Sequence, residues 1–492
     1  MKDVNGSSEM YLDTKVARGG VWLLSLRIAH VLFRFIRLII LARFLSPNDF
    51  GLFGIAFLAL STLDVFSKTG FKEALIQKKG DTKPYRDIAW TLEVVRGLLI
   101  AFILFAAAEH VALFFNAAYA RPILRVIGLS VILRSLTNIS VVYFEKELEF
   151  NKYFIYQFAG IIADFAVAAV AAFILRNAWA LVLGCFAGEM VRCMMSYAID
   201  PYRPRFRFDL HRAKELFKFG RWLLGSGILI FFITRGGDML VGKLLGVTAL
   251  GFYQMAYLIS NLPATEITHL ISQVSFPAYS KLQDHVTGLR EAYLKVLKVT
   301  VFLSFPIAGL IFTLAPYFIG IFLGEKWMPM IPAVQVLVFA GLARSVQATA
   351  GVVFHAVGKP EIDTRFQILH LFVLGALIYP FTRNWGILGA SAAVFLSTLV
   401  ASIGFSLTVI RIIRCGIREF VDIVIYPFLS IIIAASLVFR IKDIMEPGIL
   451  EFGILIAVGL LTYSIAISLF DKFFRFGIRA IIRQGLKSLK AA

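Results

Sequence analysis

About fourteen apolar stretches, roughly 18 to 27 residues each, follow one another along this chain and are joined mostly by short turns. Each is long enough to cross a hydrocarbon core as a helix, so the expected class is an all-α polytopic membrane protein. Composition agrees, because 59% hydrophobic residues and a mean hydropathy of +0.80 over 492 residues do not suit a soluble globular chain. A net charge of +19 invites a nucleic-acid reading. However, basic residues spread through loops between apolar spans are what membrane topology requires, and no nucleic-acid partner is expected. Three cysteines, Cys185, Cys193 and Cys415, encode neither a disulfide framework nor a metal cluster. The segment from Met1 to Arg18 is polar and lacks an apolar core followed by a small-residue cleavage site, so the first span is expected to act as its own insertion signal.

The even span number puts both termini on one side. One set of loops carries about four times as many Lys and Arg as the other, which predicts that both ends are cytoplasmic. Nine basic residues fall inside spans: Arg27, Arg34, Arg37, Arg96, Arg125, Arg134, Arg192, Arg235 and Arg344. The acidic residues available to them are Asp64, Glu93, Asp164, Glu189, Asp238 and Glu266. Glu93 with Arg96, Glu189 with Arg192, and Arg235 with Asp238 are three apart, a spacing that joins two side chains on a helix.

The first span, Gly19 to Leu45, is different. Arg27, His30, Arg34 and Arg37 fall within an arc of roughly 80° on a helix, and no acidic residue shares the span. A charge at the bilayer centre costs about 2.5–3.5 kcal/mol even on the mildest scale. The three arginines therefore pair with Asp64, Asp164 or helix ends elsewhere, or they face a ligand or a water-filled cavity; the second alternative is preferred.

At an offset of 200 the chain matches itself without gaps. Gly20, Trp22, Leu23 and Leu24 recur as Gly220, Trp222, Leu223 and Leu224, and Arg43, Leu45, Gly51, Phe53 and Leu58 face Lys243, Leu245, Gly251, Tyr253 and Leu258. This predicts a duplication into parallel six-span halves, 1–200 and 201–415, followed by a terminal pair of spans over 416–470. Residues 471–492 read as a basic amphipathic tail on the anionic leaflet, with membrane lipids as partner. Arg27, Arg34 and Arg37 become Gly227, Thr234 and Gly237 at the same offset. A cavity between such halves would be cationic on one wall and nearly neutral on the other, which suits an anion.

Nucleotide-driven and metal chemistry lack their motifs. Gly242-Lys243 is followed by Leu244 and Gly358-Lys359 by Pro360, so neither is a phosphate loop, and no His pair brackets a Glu at helical spacing. Transport without a cofactor is the economical expectation.

Five segments resemble signatures of bacterial polysaccharide-unit flippases, the Wzx-type branch of the MOP superfamily. They are Leu41 to Gly51, Ala74 to Lys79, Phe276 to Gln283, Gly324 to Trp327 and Ala356 to Pro360. The resemblance implies two six-helix lobes of the MOP/MATE type around an alternately opening cavity, and an oligosaccharide on undecaprenyl pyrophosphate as substrate. It implies the bacterial inner membrane as location, with a polysaccharide polymerase and export machinery as further partners. Cationic residues of the first span and its neighbours would then line the cavity: Arg27, Arg34 and Arg37, and after them Arg96, Arg134, Arg192 and Arg235. Asp64, Asp164, Asp238 and Glu266 are the candidates for coupling to H+ or Na+. The alternatives are a multidrug or cation antiporter of the same superfamily, which would need an acidic, aromatic cavity, and a membrane glycan polymerase or ligase, which would need a large extracytoplasmic loop.

Overall fold

A computed structural model describes residues 2–68, 70, 75, 83–262, 268–474 and 477. The regular structure of these residues is helical. The helices are α1 (Lys2–Phe44), α2 (Pro47–Phe66), α3 (Lys83–Phe114), α4 (Ala120–Ser135), α5 (Val141–Lys146), α6 (Phe150–Leu175), α7 (Trp179–Ile199) and α8 (Leu210–Leu245). They continue as α9 (Val247–Ser260), α10 (Thr268–Lys281), α11 (Val286–Phe318), α12 (Ile331–Ala356), α13 (Pro360–Ile412), α14 (Ile417–Lys442) and α15 (Ile449–Phe474). Among the described residues, nine helical stretches are long and apolar enough to cross a membrane. One of these, α13, is two helices joined at Gly386, whose φ of 60° suits glycine. The chain folds back there so sharply that a Cβ on Gly389 would strike the Phe381 carbonyl.

Each expected span coincides with a helix or helix pair, with two differences. The span expected over 121–144 breaks at Asn138, whose side chain accepts from the Ser140 amide at 3.0 Å and donates to the Tyr202 carbonyl at 2.7 Å. This local turn competes with helix propagation. In the span expected over 248–274 the first helix ends at Ser260, with a turn at Asn261. Beyond Gly477, the tail lies outside the described residues, as does the 74–79 signature apart from Leu75.

By its contacts the chain divides into two compact units, Met1–Phe231 with Gly246–Gly251, and Phe232–Leu245 with Phe252–Ala492. In the first, α1 runs along α6 through aromatic pairs: Trp22 with Phe154 at 5.2 Å, Phe33 with Phe158 at 5.8 Å and Phe165 at 5.3 Å, and Phe44 with Phe173 at 5.9 Å. Both numberings rise together, so the two helices point the same way, as first and fifth spans should. The core of the second unit is built from α11, α12, α13 and α14 around Tyr293, Val301, Phe354, Phe405 and Ile423, all buried.

The signature at the start of α2 has a local physical explanation. Ser46 caps the helix, Pro47 opens it, and the Asp49 carboxylate accepts from the Ser46 amide at 2.9 Å and hydroxyl at 2.6 Å, a capping box. Its other oxygen accepts from the Ala178 amide at 2.9 Å, tying α2 to the start of α7. Ser46→Ala is expected to lose about 1 kcal/mol of stability. Asp49→Ala should lose more, because two helix starts are released, and thermal melting in detergent ranks the pair.

Candidate functional site

The intramembrane charges of the first unit are held in place by close helix packing. Arg37 on α1 meets Asp164 on α6 with Nη2 at 3.1 Å from Oδ1. Sequence reasoning preferred a ligand or water for this arginine; the structure gives it a carboxylate from a neighbouring helix. The pair is incompletely hydrogen-bonded, since Arg37 Nε and Asp164 Oδ1 are both buried with no hydrogen-bond partner of good geometry. Space for it comes from glycine. A Cβ on Gly184 would lie 2.7 Å from Asp164 Oδ1, one on Gly188 would lie 2.9 Å from the Asp164 Cβ, and one on Gly160 would strike the Arg192 side chain. Gly184 and Gly188, four apart on one face of α7, thus permit the close contact of α6 and α7, with charged side chains laid into the notch. Arg27 and Arg34 lie partly buried elsewhere on α1, and neither is free of partners.

A second cluster joins α2, α3 and α4. Asp64 accepts from Arg96 Nη2 at 3.0 Å and, through both oxygens, from Arg134 Nη2 at 2.7 and 2.8 Å. Arg96 also reaches Glu93 at 3.2 Å and the Ser67 carbonyl at 2.9 Å. Arg96, Arg134 and Glu93 face a cleft of about 300 Å³ whose other walls include Trp90, Asn138, Tyr153 and Tyr156. A strap from Asp200 to Asp209 closes over the start of α3. There Tyr202 donates to Asp87 at 2.6 Å, and burial together with that carboxylate pushes the Tyr202 phenol pKa up.

A further pair lies beside the Asp164 notch, where a Cβ on Gly188 would lie 2.9 Å from the Asp164 Cβ and 3.5 Å from Arg192 Nη2. Arg192 pairs with Glu189 at 2.8 Å within α7. In the second unit Arg235 pairs with Asp238 at 3.2 Å, and Gln254 donates to the same carboxylate oxygen at 3.1 Å. All three pairs read from the three-residue spacing are formed. Glu266 lies outside the described residues. Arg37, Arg96, Arg134, Arg192 and Arg235 therefore each have a carboxylate, and Asp64, Asp164 and Asp238 each have an arginine.

Sequence reasoning passed over Arg344. It lies midway along α12, 13 residues from Ile331 and 12 from Ala356, or about 20 Å from either end at 1.5 Å per residue. Tyr257 Oη and Asn261 Oδ1 accept from its Nη1 at 2.7 and 2.9 Å, and the guanidinium carbon stands 5.0 Å from the Tyr257 ring centroid. Among the described residues no carboxylate pairs with it. The signal was present in the sequence, because residues 331–357 contain no Asp or Glu, the same property that drew attention to the first span.

Comparison with known proteins adds three findings. The sequence model of a family described as "Polysaccharide biosynthesis protein" matches residues 40–332. The lipopolysaccharide biosynthesis protein WzxC of Escherichia coli (strain K12) is 24% identical over 396 residues, covering 80% of each chain. The teichuronic acid biosynthesis protein TuaB of Bacillus subtilis (strain 168) is 22% identical over 400 residues, covering 80% of this chain and 83% of TuaB. Among solved structures, the lipid II flippase MurJ in an inward closed conformation shares the fold at a TM-score of 0.74 and 15% identity, over 92% of this chain and 99% of MurJ.

Proposed function

The chain belongs to the polysaccharide biosynthesis protein family, and from that premise we propose that it is a flippase for lipid-linked oligosaccharides. It carries a repeat unit on undecaprenyl pyrophosphate from the cytoplasmic to the outer leaflet of the bacterial inner membrane, by alternating access, for surface polysaccharide synthesis. The family match over residues 40–332 carries the reading. Likeness to WzxC and TuaB, proteins named for lipopolysaccharide and teichuronic acid biosynthesis, and the fold shared with a lipid II flippase support it. In this reading 1–200 and 201–415 are the two lobes, both termini are cytoplasmic, and a polymerase and export machinery take the product onward.

Arg27, Arg34 and Arg37 hold the pyrophosphate. The planar guanidinium fork gives paired hydrogen bonds to phosphate oxygens and keeps its charge when desolvated, which lysine does less well. Arg37 does so by exchanging partners: its bond to Asp164 is geometrically poor, and a phosphate oxygen that also satisfies Nε competes for it. Asp164 is then released for a proton or sodium ion, which makes it the first of the coupling candidates, ahead of Asp64 and Asp238. The membrane potential contributes as well. Moving one negative charge outward gains about 2.3 kcal/mol per 100 mV on an inside-negative membrane, so a diphosphate needs no ATP.

Translocation of lipid-linked oligosaccharide into reconstituted vesicles tests the reading. Wild-type protein should transport, Arg34→Ala and Arg37→Ala should lose most of the rate, and Arg34→Lys should fall between. Absence of wild-type transport removes the flippase reading, whereas normal rates in all three variants at equal protein levels remove the arginine clamp and leave the flippase.

A further inference from the structure

We propose that Arg344 is a second phosphoryl-binding site, built into the second unit by Tyr257 and Asn261. The proposal rests on the flippase reading for its substrate, an anionic phosphate ester of a lipid, and on the local geometry for its residue.

Three observations converge on it. A guanidinium in the middle of a 26-residue apolar helix is at the depth where an uncompensated charge is most costly, so such residues pair, bind a ligand or line water. Five other candidate arginines meet a carboxylate, yet Arg344 is met by a phenol and an amide, two neutral acceptors. Both acceptors take their protons from one nitrogen, Nη1. The opposite edge, Nε with Nη2, has no acceptor among the described residues, and it is the edge that offers two parallel N–H bonds to two oxygens of one phosphoryl group.

The neighbours suit that task. Tyr257 and Asn261 are four apart and approach Arg344 from the end of α9, so the guanidinium plane is fixed without its charge being cancelled. The Tyr257 ring beside the guanidinium carbon stabilises the cation further. A carboxylate in their place would fix the same plane and remove the attraction for an anion. The tenth span corresponds to the fourth, and at the 210-residue offset that sets Pro332 on Pro122 the counterpart of Arg344-Ser345 is Arg134-Ser135; Arg134 is met by Asp64, whereas no carboxylate among the described residues meets Arg344. Arg344 therefore leaves the second unit a cation, where sequence comparison of the halves expected a nearly neutral wall.

Binding to the purified full chain in detergent is the test, with farnesyl diphosphate, inorganic pyrophosphate and phosphatidylglycerol as probes. Farnesyl diphosphate should bind the wild type, and Arg344→Gln should weaken it about tenfold or more, the loss expected for a charge-assisted bidentate contact. Arg344→Lys should be intermediate, and Tyr257→Phe should weaken binding less than Arg344→Gln because the charge remains. Preference for farnesyl diphosphate over pyrophosphate assigns the site to a lipid-linked phosphate, the reverse preference assigns it to free phosphate, and competition by phosphatidylglycerol assigns it to a headgroup. If Arg344→Gln does not fold, phenylglyoxal labelling of wild-type Arg344 replaces it: protection by farnesyl diphosphate supports the site, and equal labelling with and without it overturns the site. Unchanged affinity in Arg344→Gln also overturns it, as does a lowered melting temperature with unchanged affinity, which would make Arg344 a staple between α9 and α12. Normal oligosaccharide translocation together with unchanged affinity leaves the flippase standing without this site. Diphosphate binding through Arg344 in a chain that translocates nothing keeps the site and removes the flippase reading.

Discussion

Asp64→Ala is expected to destabilise the protein by about 2–4 kcal/mol, enough to lower its accumulation in the membrane several-fold. One carboxylate on α2 serves two guanidiniums, Arg96 from α3 and Arg134 from α4, and its loss leaves two cations facing each other. Breaking a buried pair by removing one partner usually costs about 3–5 kcal/mol. The expected figure is lower because the Arg134 side chain is 43% exposed and Arg96 keeps Glu93. Removing the orphaned cation should recover part of the loss, so Asp64→Ala with Arg134→Ala should melt higher than Asp64→Ala alone. A coupling-ion role for Asp64 predicts a different pattern, a stable variant whose transport no longer responds to an ion gradient. Wild-type melting of Asp64→Ala would show that the cluster does not hold α2, α3 and α4 together.

How much of this was legible in sequence depends on whether the cause is local. Span positions follow from the length of apolar runs, and the pairs Glu93 with Arg96, Glu189 with Arg192 and Arg235 with Asp238 follow from helical spacing. These are properties of neighbouring residues. Arg37 with Asp164 and Arg134 with Asp64 join positions 127 and 70 residues apart, and no periodicity reports which helices will touch. The signature motifs illustrate a different limit. Gly358 has φ of 72° and closes α12 in a Schellman turn, with the Lys359 amide donating to the Phe354 carbonyl at 2.8 Å. Gly324 has φ of 99° and ends the π-helical turn after α11, just before the fully buried Trp327. Ser46, Pro47 and Asp49 cap α2. Such motifs identify a fold because they build caps and turns, and for the same reason they carry no information about the sugar. The candidate site is harder: an arginine with no acid in its own span is legible at Arg344 as well as in the first helix, but the sequence does not say that Arg37 meets Asp164 while Arg344 meets Tyr257 and Asn261.

Gly51→Val and Gly251→Val should each destabilise strongly, and the double substitution should cost clearly less than their sum. The starts of α2 and α9 lie against each other within the first unit, and the contact is reciprocal at the 200-residue offset. A Cβ on Gly51 would strike the Val247 carbonyl, and one on Gly251 would strike the Pro47 carbonyl while lying 3.1 Å from the Gly51 nitrogen. Thr248 Oγ1 meets Asn48 Oδ1 at 3.4 Å between them. Residues 47, 48 and 51 thus face 247, 248 and 251, the pattern of an isologous contact about a local two-fold axis. The obstacle to any side chain is backbone, which cannot change rotamer, so each single substitution must separate the helix starts at a cost of about 1–3 kcal/mol or more. Once they are separated, the second Cβ enters space already opened, and the coupling between the two sites should be about 0.5–3 kcal/mol. Denaturant or thermal melting of the four-protein cycle in detergent measures it. Strict additivity would mean that the two glycines act at independent places, and the reciprocal contact would then have no energetic role.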